Sequence, residues 1–149
     1  MFRRAKKSDS DFAYRVRRVA MQDYIDAGDG WNEREQHVLH HTRFANNDYR
    51  IIVHDGSDVG IAALELTPTS LKLNQIFLLE EFQDMGIGEM CMKVIEEEAR
   101  TLGLPVELKV RKMNTSASDF YERLGFSKIG ETEHHFLYSK RTDAQQPKR

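Results

Sequence analysis

Residues 83–88 read Gln83-Asp84-Met85-Gly86-Ile87-Gly88 and stand between a strand-like apolar run and a long amphipathic stretch. The first turn of a helix offers free N–H groups and a partial positive charge, which together receive phosphate oxygens. Two glycines there let the backbone approach a pyrophosphate without Cβ interference. The same glycines also suit a plain tight turn, and the segment alone does not choose between the two. A Walker loop needs Gly-Lys-Ser/Thr, whereas Gly88 is followed by Glu89. A dinucleotide fingerprint needs a third small residue after Gly88, and Cys91 fills that place only marginally. A nucleotide-binding module using these glycines is therefore disfavoured.

Other residues with chemical capacity are more ambiguous. His37, His40 and His41 fall near one face of a helical stretch, but no His-Glu-x-x-His motif and no neighbouring carboxylate cluster accompanies them, so no metal site is expected. They are read as a solvated or partner-facing surface. Cys91 lies on an apolar helix face and reads as an inert packing residue. Phe120 and Tyr121 fit the apolar side of a second amphipathic helix, where aromatic residues commonly serve the core.

The elements that must position these residues follow from periodicity and punctuation. Residues 1–11 are polar and charged and read as a flexible leader. Residues 12–19 alternate large apolar and basic side chains, a strand pattern, and residues 20–29 resemble a short helix. A further helix is expected from Trp31 to about Ala45, with Asn32 as N-cap and Glu35 completing a capping box. Three strand signals follow over residues 49–54, 59–66 and 71–79, joined too closely for crossovers, hence antiparallel. From Gly86 to Leu102, Ile87, Met90, Cys91, Val94, Ile95, Ala99 and Leu102 recur at helical spacing, and Gly103 and Pro105 end the run. Glu96, Glu97 and Glu98 read as its solvated face. Residues 106–111 form a strand reached through a helix, hence parallel to the one before. Asn114 caps a helix that Gly125 stops, and residues 126–129 and 133–140 read as a hairpin around Gly130. The tail over 141–149 is polar.

Composition bounds the rest. The chain has 149 residues, the length of one domain, here placed at 12–140. Lys plus Arg number 22 and Asp plus Glu 24, a net charge of −2, which supplies no electrostatic case for nucleic acid or an anionic membrane. One cysteine excludes an internal disulfide framework. No apolar run is long enough to span a bilayer, and the basic start lacks the apolar stretch of a secretory signal, so the cytoplasm is the expected compartment.

Taken together, two segments carry a specific likeness. The stretch Gln83-x-x-Gly86-x-Gly88, preceded by residues 76–82, resembles the acyl-CoA-binding motif of the GNAT superfamily of N-acetyltransferases. Asn114, then Ala117, then Phe120-Tyr121-Glu122-Arg123-Leu124-Gly125-Phe126 resembles that superfamily's second signature, in the same order and spacing. The resemblance implies a mixed α/β, mostly antiparallel central sheet with one splayed parallel strand pair, flanked by helices. It implies acetyl-CoA as co-substrate and a small-molecule or peptide amine as acceptor, attacked directly with no acyl-enzyme. The backbone of Ile76, Phe77 and Leu78 is implied to pair with the pantetheine amides as an added strand does. Gln83, Asp84, Met85, Gly86, Ile87, Gly88 and Glu89 are implied to hold the pyrophosphate, and Asn114 the cofactor arm. Tyr121 is implied to stand near the sulfur as general acid. The early helices border the acceptor in this fold, which brings in Trp31 and Gln36. Some members place a glutamate on the strand before Asn114 as base, and here Lys109 stands there instead. Glu65, Glu107 or a water chain held by polar groups such as Gln75 remain for that role, with Glu65 or water preferred. A non-catalytic acyl-CoA-binding or sensor domain is the alternative, and a homodimer stays open.

Overall fold

The computed structural model describes residues 1–28 and 30–142, the Tyr24 side chain excepted, so the expected tail lies outside the described residues from 143 onward. Among the described residues the chain runs β1 (Phe2–Arg4), α1 (Ser10–Asp26), α2 (Glu33–Asn46), β2 (Asp48–His54), β3 (Ser57–Leu66), β4 (Leu71–Leu78), α3 (Ile87–Leu102), β5 (Val106–Arg111), α4 (Thr115–Arg123), β6 (Ser127–Glu131) and β7 (His135–Lys140). Hydrogen-bonded neighbours follow the order β1-β2-β3-β4-β5-β7-β6. The β4–β5 pair is parallel, while β1–β2, β2–β3, β5–β7 and β6–β7 are antiparallel. This is the mixed, mostly antiparallel sheet that the resemblance implies. No helix among the described residues is long and apolar enough to cross a membrane. Residues group into two compact units, one of Met1–Leu64 with Gln75–Cys91, the other of Glu65–Asn74 with the described residues from Met92 onward.

In the first unit α1 corrects two expectations at once. The strand read over 12–19 and the short helix after it are one helix. Alternation of Phe12, Tyr14 and Val16 suggests period two, but Ala13 is also fully buried and Val19 is 66% exposed. Ala13, Val16 and Arg17 are buried at helical spacing instead. Ala13 and Val16 pack with Tyr49, Ile51, Ile61 and Ala63. The opposite strand parity, Ile52 and Val59, packs with Ile87 and Cys91, and Ile76, Leu78 and Phe82 close over them. Burial pushes the Cys91 thiol pKa up, which suits a packing role.

The leader is also corrected. Phe2, Arg3 and Arg4 pair with Ile52, Ile51 and Arg50, and the Ala5 N–H donates to the Tyr49 carbonyl at 3.0 Å. Arg3 grips Asp9 through both guanidinium ends, at 2.8 and 2.9 Å, and holds the Asp9 carboxyl down at about 2. A basic residue here is an ion-pair partner, which a reading of net polarity misses. Gly60 shows a further constraint: a Cβ there would lie 2.3 Å from the Phe77 carbonyl oxygen. Only glycine lets β4 pass this closely.

In the second unit the parallel ladder pairs Leu71 with Val106, Lys72 with Glu107 and Leu73 with Leu108, then stops. The last strand continues the sheet from Val106↔Lys140 to Arg111↔His135. Gly130 sits inside β6 opposite Leu137, beside an irregularity, so the hairpin turn falls later than expected. On α3 the buried face includes Met92, Ile95 and Ala99, while Met90 and Val94 are exposed, which shifts the expected stripe. Glu96 is not merely solvated: it pairs with Lys140 at 2.7 Å. The Lys140 ammonium also donates to the Leu124 carbonyl at 2.6 Å, just where Gly125, at φ +97°, ends α4.

Candidate active site

The turn between β4 and α3 belongs to the first unit. A single 3-10 turn, Glu80–Phe82, is closed by N–H bonds from Phe82 to Leu79 and from Gln83 to Glu80. The Gln83 side-chain amide donates to the Leu78 carbonyl at 3.1 Å, so this side chain ties the turn to the end of β4. Asp84 at φ +61° and Gly86 at φ +79° are both left-handed. Alternating handedness of this kind turns successive N–H groups to one side, a concavity for anions. A Cβ on Gly86 would meet nothing within 4 Å, so glycine is required there for its dihedral and not for space.

The turn is open. Gln83, Asp84, Met85 and Gly86 are exposed. The first helical bond of α3 is Met90 N–H to the Gly86 carbonyl. The N–H groups of Ile87, Gly88 and Glu89 thus have no intrahelical acceptor, as at any helix start. These donors stand at the positive end of the α3 dipole. Against this, Glu80, Glu81, Asp84 and Glu89 put carboxylates around the turn. Anion binding there rests on main-chain donors alone. Of the strand that would carry the cofactor arm, Ile76 and Leu78 send side chains into the packing around Ile52, while the Leu78 carbonyl is already engaged by Gln83.

The second unit holds the other signature. Asn114 caps α4, its side-chain oxygen accepting from Ala117 N–H at 3.2 Å, and its amide NH2 makes no hydrogen bond among the described residues. Tyr121 is buried, its ring edge-on to Phe120 and to Phe126 at centroid distances of 5.1 and 5.5 Å. Its hydroxyl makes no hydrogen bond among the described residues, and burial pushes its pKa well above the ordinary phenol range. The group is therefore a neutral phenol with its proton in place. Tyr138 is different: its hydroxyl is spent on Glu122 at 2.6 Å.

Glu65 is exposed and accepts from the Asn74 amide at 3.0 Å. In the same unit a cavity of about 210 Å³ is lined by Lys72, Asn74, Glu107, Leu108, Lys109, Ile129, Leu137 and Tyr138. It brings Glu107 and Lys109, alternate residues of one β5 face, beside Asn74. In the first unit Trp31 and Gln36 meet at Arg17, whose guanidinium lies 5.7 Å from the Trp31 ring and donates to the Gln36 side chain. Trp31 Nε1 donates to Glu33 at 3.1 Å. His40 is buried and bonded to Ser10, which departs from the expected solvated face, whereas His37 is exposed with its ring stacked on Tyr14 at 4.0 Å and His41 is exposed. No group of three or more His, Cys, Asp or Glu among the described residues is placed to hold a metal. Sequence reasoning missed Gly60, legible as a glycine inside a strand.

The architecture is that of solved N-acetyltransferases. The chain superposes on PaiA N-acetyltransferase from Thermoplasma acidophilum in complex with coenzyme A, TM-score 0.77 at 16% identity, over 95% of this chain and 98% of that one. It superposes equally broadly on the ribosomal-protein-S18-alanine N-acetyltransferase from Escherichia coli, TM-score 0.72 at 16% identity, over 95% and 92%. At those identities the likeness is one of fold. A curated relative, the uncharacterized protein YyaT of Bacillus subtilis (strain 168), is 26% identical over 108 residues, 72% of this chain and 64% of its own length. The sequence pattern of the Acetyltransferase (GNAT) family matches residues 13–126, and the chain belongs to that family.

Proposed function

We propose that this chain moves an acetyl group from acetyl-CoA to a primary amine by direct attack, without an acyl-enzyme. The observation that carries the reading is the exposed turn with left-handed Asp84 and Gly86 at the start of α3, in a chain of this family. Residues 84–89 would take the diphosphate on main-chain N–H groups. Ile76, Phe77 and Leu78 would present backbone to the pantetheine arm, since the ladder of β4 with β5 ends at Leu73↔Leu108. Asn114 has an amide donor left for the same arm. Bound acetyl-CoA supplies the thioester. As the amine nitrogen forms its bond to the carbonyl carbon, the carbon–sulfur bond breaks, and Tyr121 gives its hydroxyl proton to the departing sulfur. Glu65, steadied by Asn74 and reached directly or through water, takes the proton that the amine gives up.

The experiment is thiol release from acetyl-CoA with a panel of amines, after cofactor binding has been confirmed by calorimetry. Tyr121→Phe should lower kcat by about 10²–10⁴ with cofactor Kd nearly unchanged. Unchanged turnover would remove Tyr121 from the acid role. One observation favours the second reading, a sensor that binds acyl-CoA without turnover: Lys109 stands on the strand before Asn114, where some members of the family place a glutamate base. Binding without release of thiol on any amine would select it.

A further inference from the structure

Strand β5, in the second unit, has one apolar and one charged face. Val106, Leu108 and Val110 are buried, so alternation puts Glu107, Lys109 and Arg111 together on the other face. Residues directly opposite one another across a sheet share a face. Lys72 of β4 stands opposite Glu107, Leu137 of β7 opposite Lys109, and His135 of β7 opposite Arg111. The cavity of about 210 Å³ opens on this face, with Lys72, Asn74, Glu107, Lys109, Ile129 and Leu137 in its lining. Two lysines and one glutamate give it a net positive charge.

That positive charge is not spread evenly. Glu107 has Lys72 beside it in register, a pair of opposite sign. Lys109 is exposed, stands opposite an apolar residue, and has Arg111 as the next side chain along its face. Neither the Lys109 nor the Arg111 side chain forms an ion pair or hydrogen bond among the described residues. Their field reaches His135, whose pKa is pushed down by burial first and then by Lys109 and Arg111. One end of the cavity is therefore an ammonium without a counter-charge, next to the apolar surface of Leu137 and of Ile129, which is 58% exposed. At the other end Asn74 donates to Glu65 at 3.0 Å, the carboxylate read above as taking the amine's proton. The β4–β5 ladder stops at Leu73↔Leu108, so Asn74 and Lys109, the next residues on the two strands, are not joined by it. The occupant that complements this arrangement has an amine at the Asn74 end, an anionic group at Lys109 and a short hydrocarbon between them. Ligand pockets usually run about 300–1,000 Å³, so this smaller one suits a small molecule.

We propose that this cavity receives the acceptor, and that Lys109 selects small amines carrying a negatively charged group, a carboxylate or a phosphate, at the end away from the reacting nitrogen. The assignment rests on the acetyl-transfer reading above and names its substrate class. The Lys109 ammonium donates to an oxygen of the anionic group, and the hydrocarbon lies against Leu137 and Ile129. Lys109 sets specificity and touches no reacting atom.

The test is a charge series of nearly equal length: 3-aminopropanoate, 2-aminoethyl phosphate, 3-aminopropanamide and 1,3-diaminopropane, compared at equal concentrations of free base. At low salt at least one of the two anionic amines should exceed the neutral amide in kcat/KM by about tenfold, the worth of one charge-assisted hydrogen bond, and the diamine should not. Which of the two does so tells carboxylate from phosphate. Because Lys109 is exposed, the advantage should shrink as ionic strength rises. Lys109→Gln should bring the favoured acid to within about threefold of the amide, and Lys109→Glu should invert the order and put the diamine first. Unchanged acetyl-CoA binding by calorimetry checks that both variants are folded. Equal rates across the series in the wild type, or an order that Lys109→Glu leaves as it was, overturns the proposal. If no amine releases thiol, the transfer reading fails separately, and calorimetry of the two acids against the full chain still decides. Heat from an acid that Lys109→Glu abolishes supports the anion site, and no heat from either overturns it.

Discussion

The helices α3 and α4 begin in opposite ways. At α4, Asn114 folds its side-chain oxygen onto the Ala117 N–H and closes the first turn. At α2, Asn32 does the same for Glu35 at 3.0 Å. At α3 no side chain among the described residues performs this service, and the turn before it contains the left-handed residues Asp84 and Gly86. Capping satisfies the orphan N–H groups of a helix from within the chain. Leaving them open forgoes about 1 kcal/mol of helix stability and keeps the donors for something brought from outside. The contrast separates helix starts closed from within the chain from one left open, where the diphosphate is proposed to bind.

Five substitutions break or sharpen that contrast. Gly86→Glu places a carboxylate in the open turn, where like charges near 4 Å oppose each other by about 4 kcal/mol at an effective dielectric near 20. Calorimetry should show acetyl-CoA affinity falling more than about a hundredfold, and wild-type affinity would show that the diphosphate binds elsewhere. Next come the two caps. Asn32→Ala and Asn114→Ala should each cost about 1 kcal/mol in thermal unfolding. Only Asn114→Ala should also weaken acetyl-CoA binding, by about tenfold. An equal effect of both on binding would mean that Asn114 is a cap and nothing more. Gly86→Ala adds a Cβ with nothing to strike, so it should cost about 1–2 kcal/mol of left-handed strain and leave affinity within a few-fold. A loss as large as with glutamate would make shape, not charge, the governing factor. Smallest of all, Glu89→Gln should tighten binding about two- to threefold at low salt, an advantage that disappears at high ionic strength.

Legibility divides along the same line. The turn at Gln83–Gly88, the caps Asn32 and Asn114, and the stops at Gly103 and Gly125 are local chemistry, carried by residues next to one another, and each sits where its spacing places it. Helix α1 is not legible locally because an eight-residue window over Phe12, Tyr14 and Val16 satisfies two periods, and only the buried Ala13 decides between them. The leader was misread because Arg3 looks like any exposed basic residue until Asp9 and Asp58 stand beside it. Gly130 drew the hairpin turn too early because a glycine opposite Leu137 inside a strand and a glycine in a turn look alike in sequence.

The sequence alone places the three-strand meander, the helices α2, α3 and α4, the parallel pair, the glycine turn and a tyrosine on α4, because these depend on neighbours within a few residues and on connection lengths. Tertiary structure alone decided what the polar side chains do. It engaged Gln83 with Leu78, Tyr138 with Glu122 and Glu33 with Tyr14. The physical reason is that a hydrogen bond or a charge has no fixed meaning along the chain. Its meaning is set by burial and by whichever groups the fold brings against it from other elements of the chain.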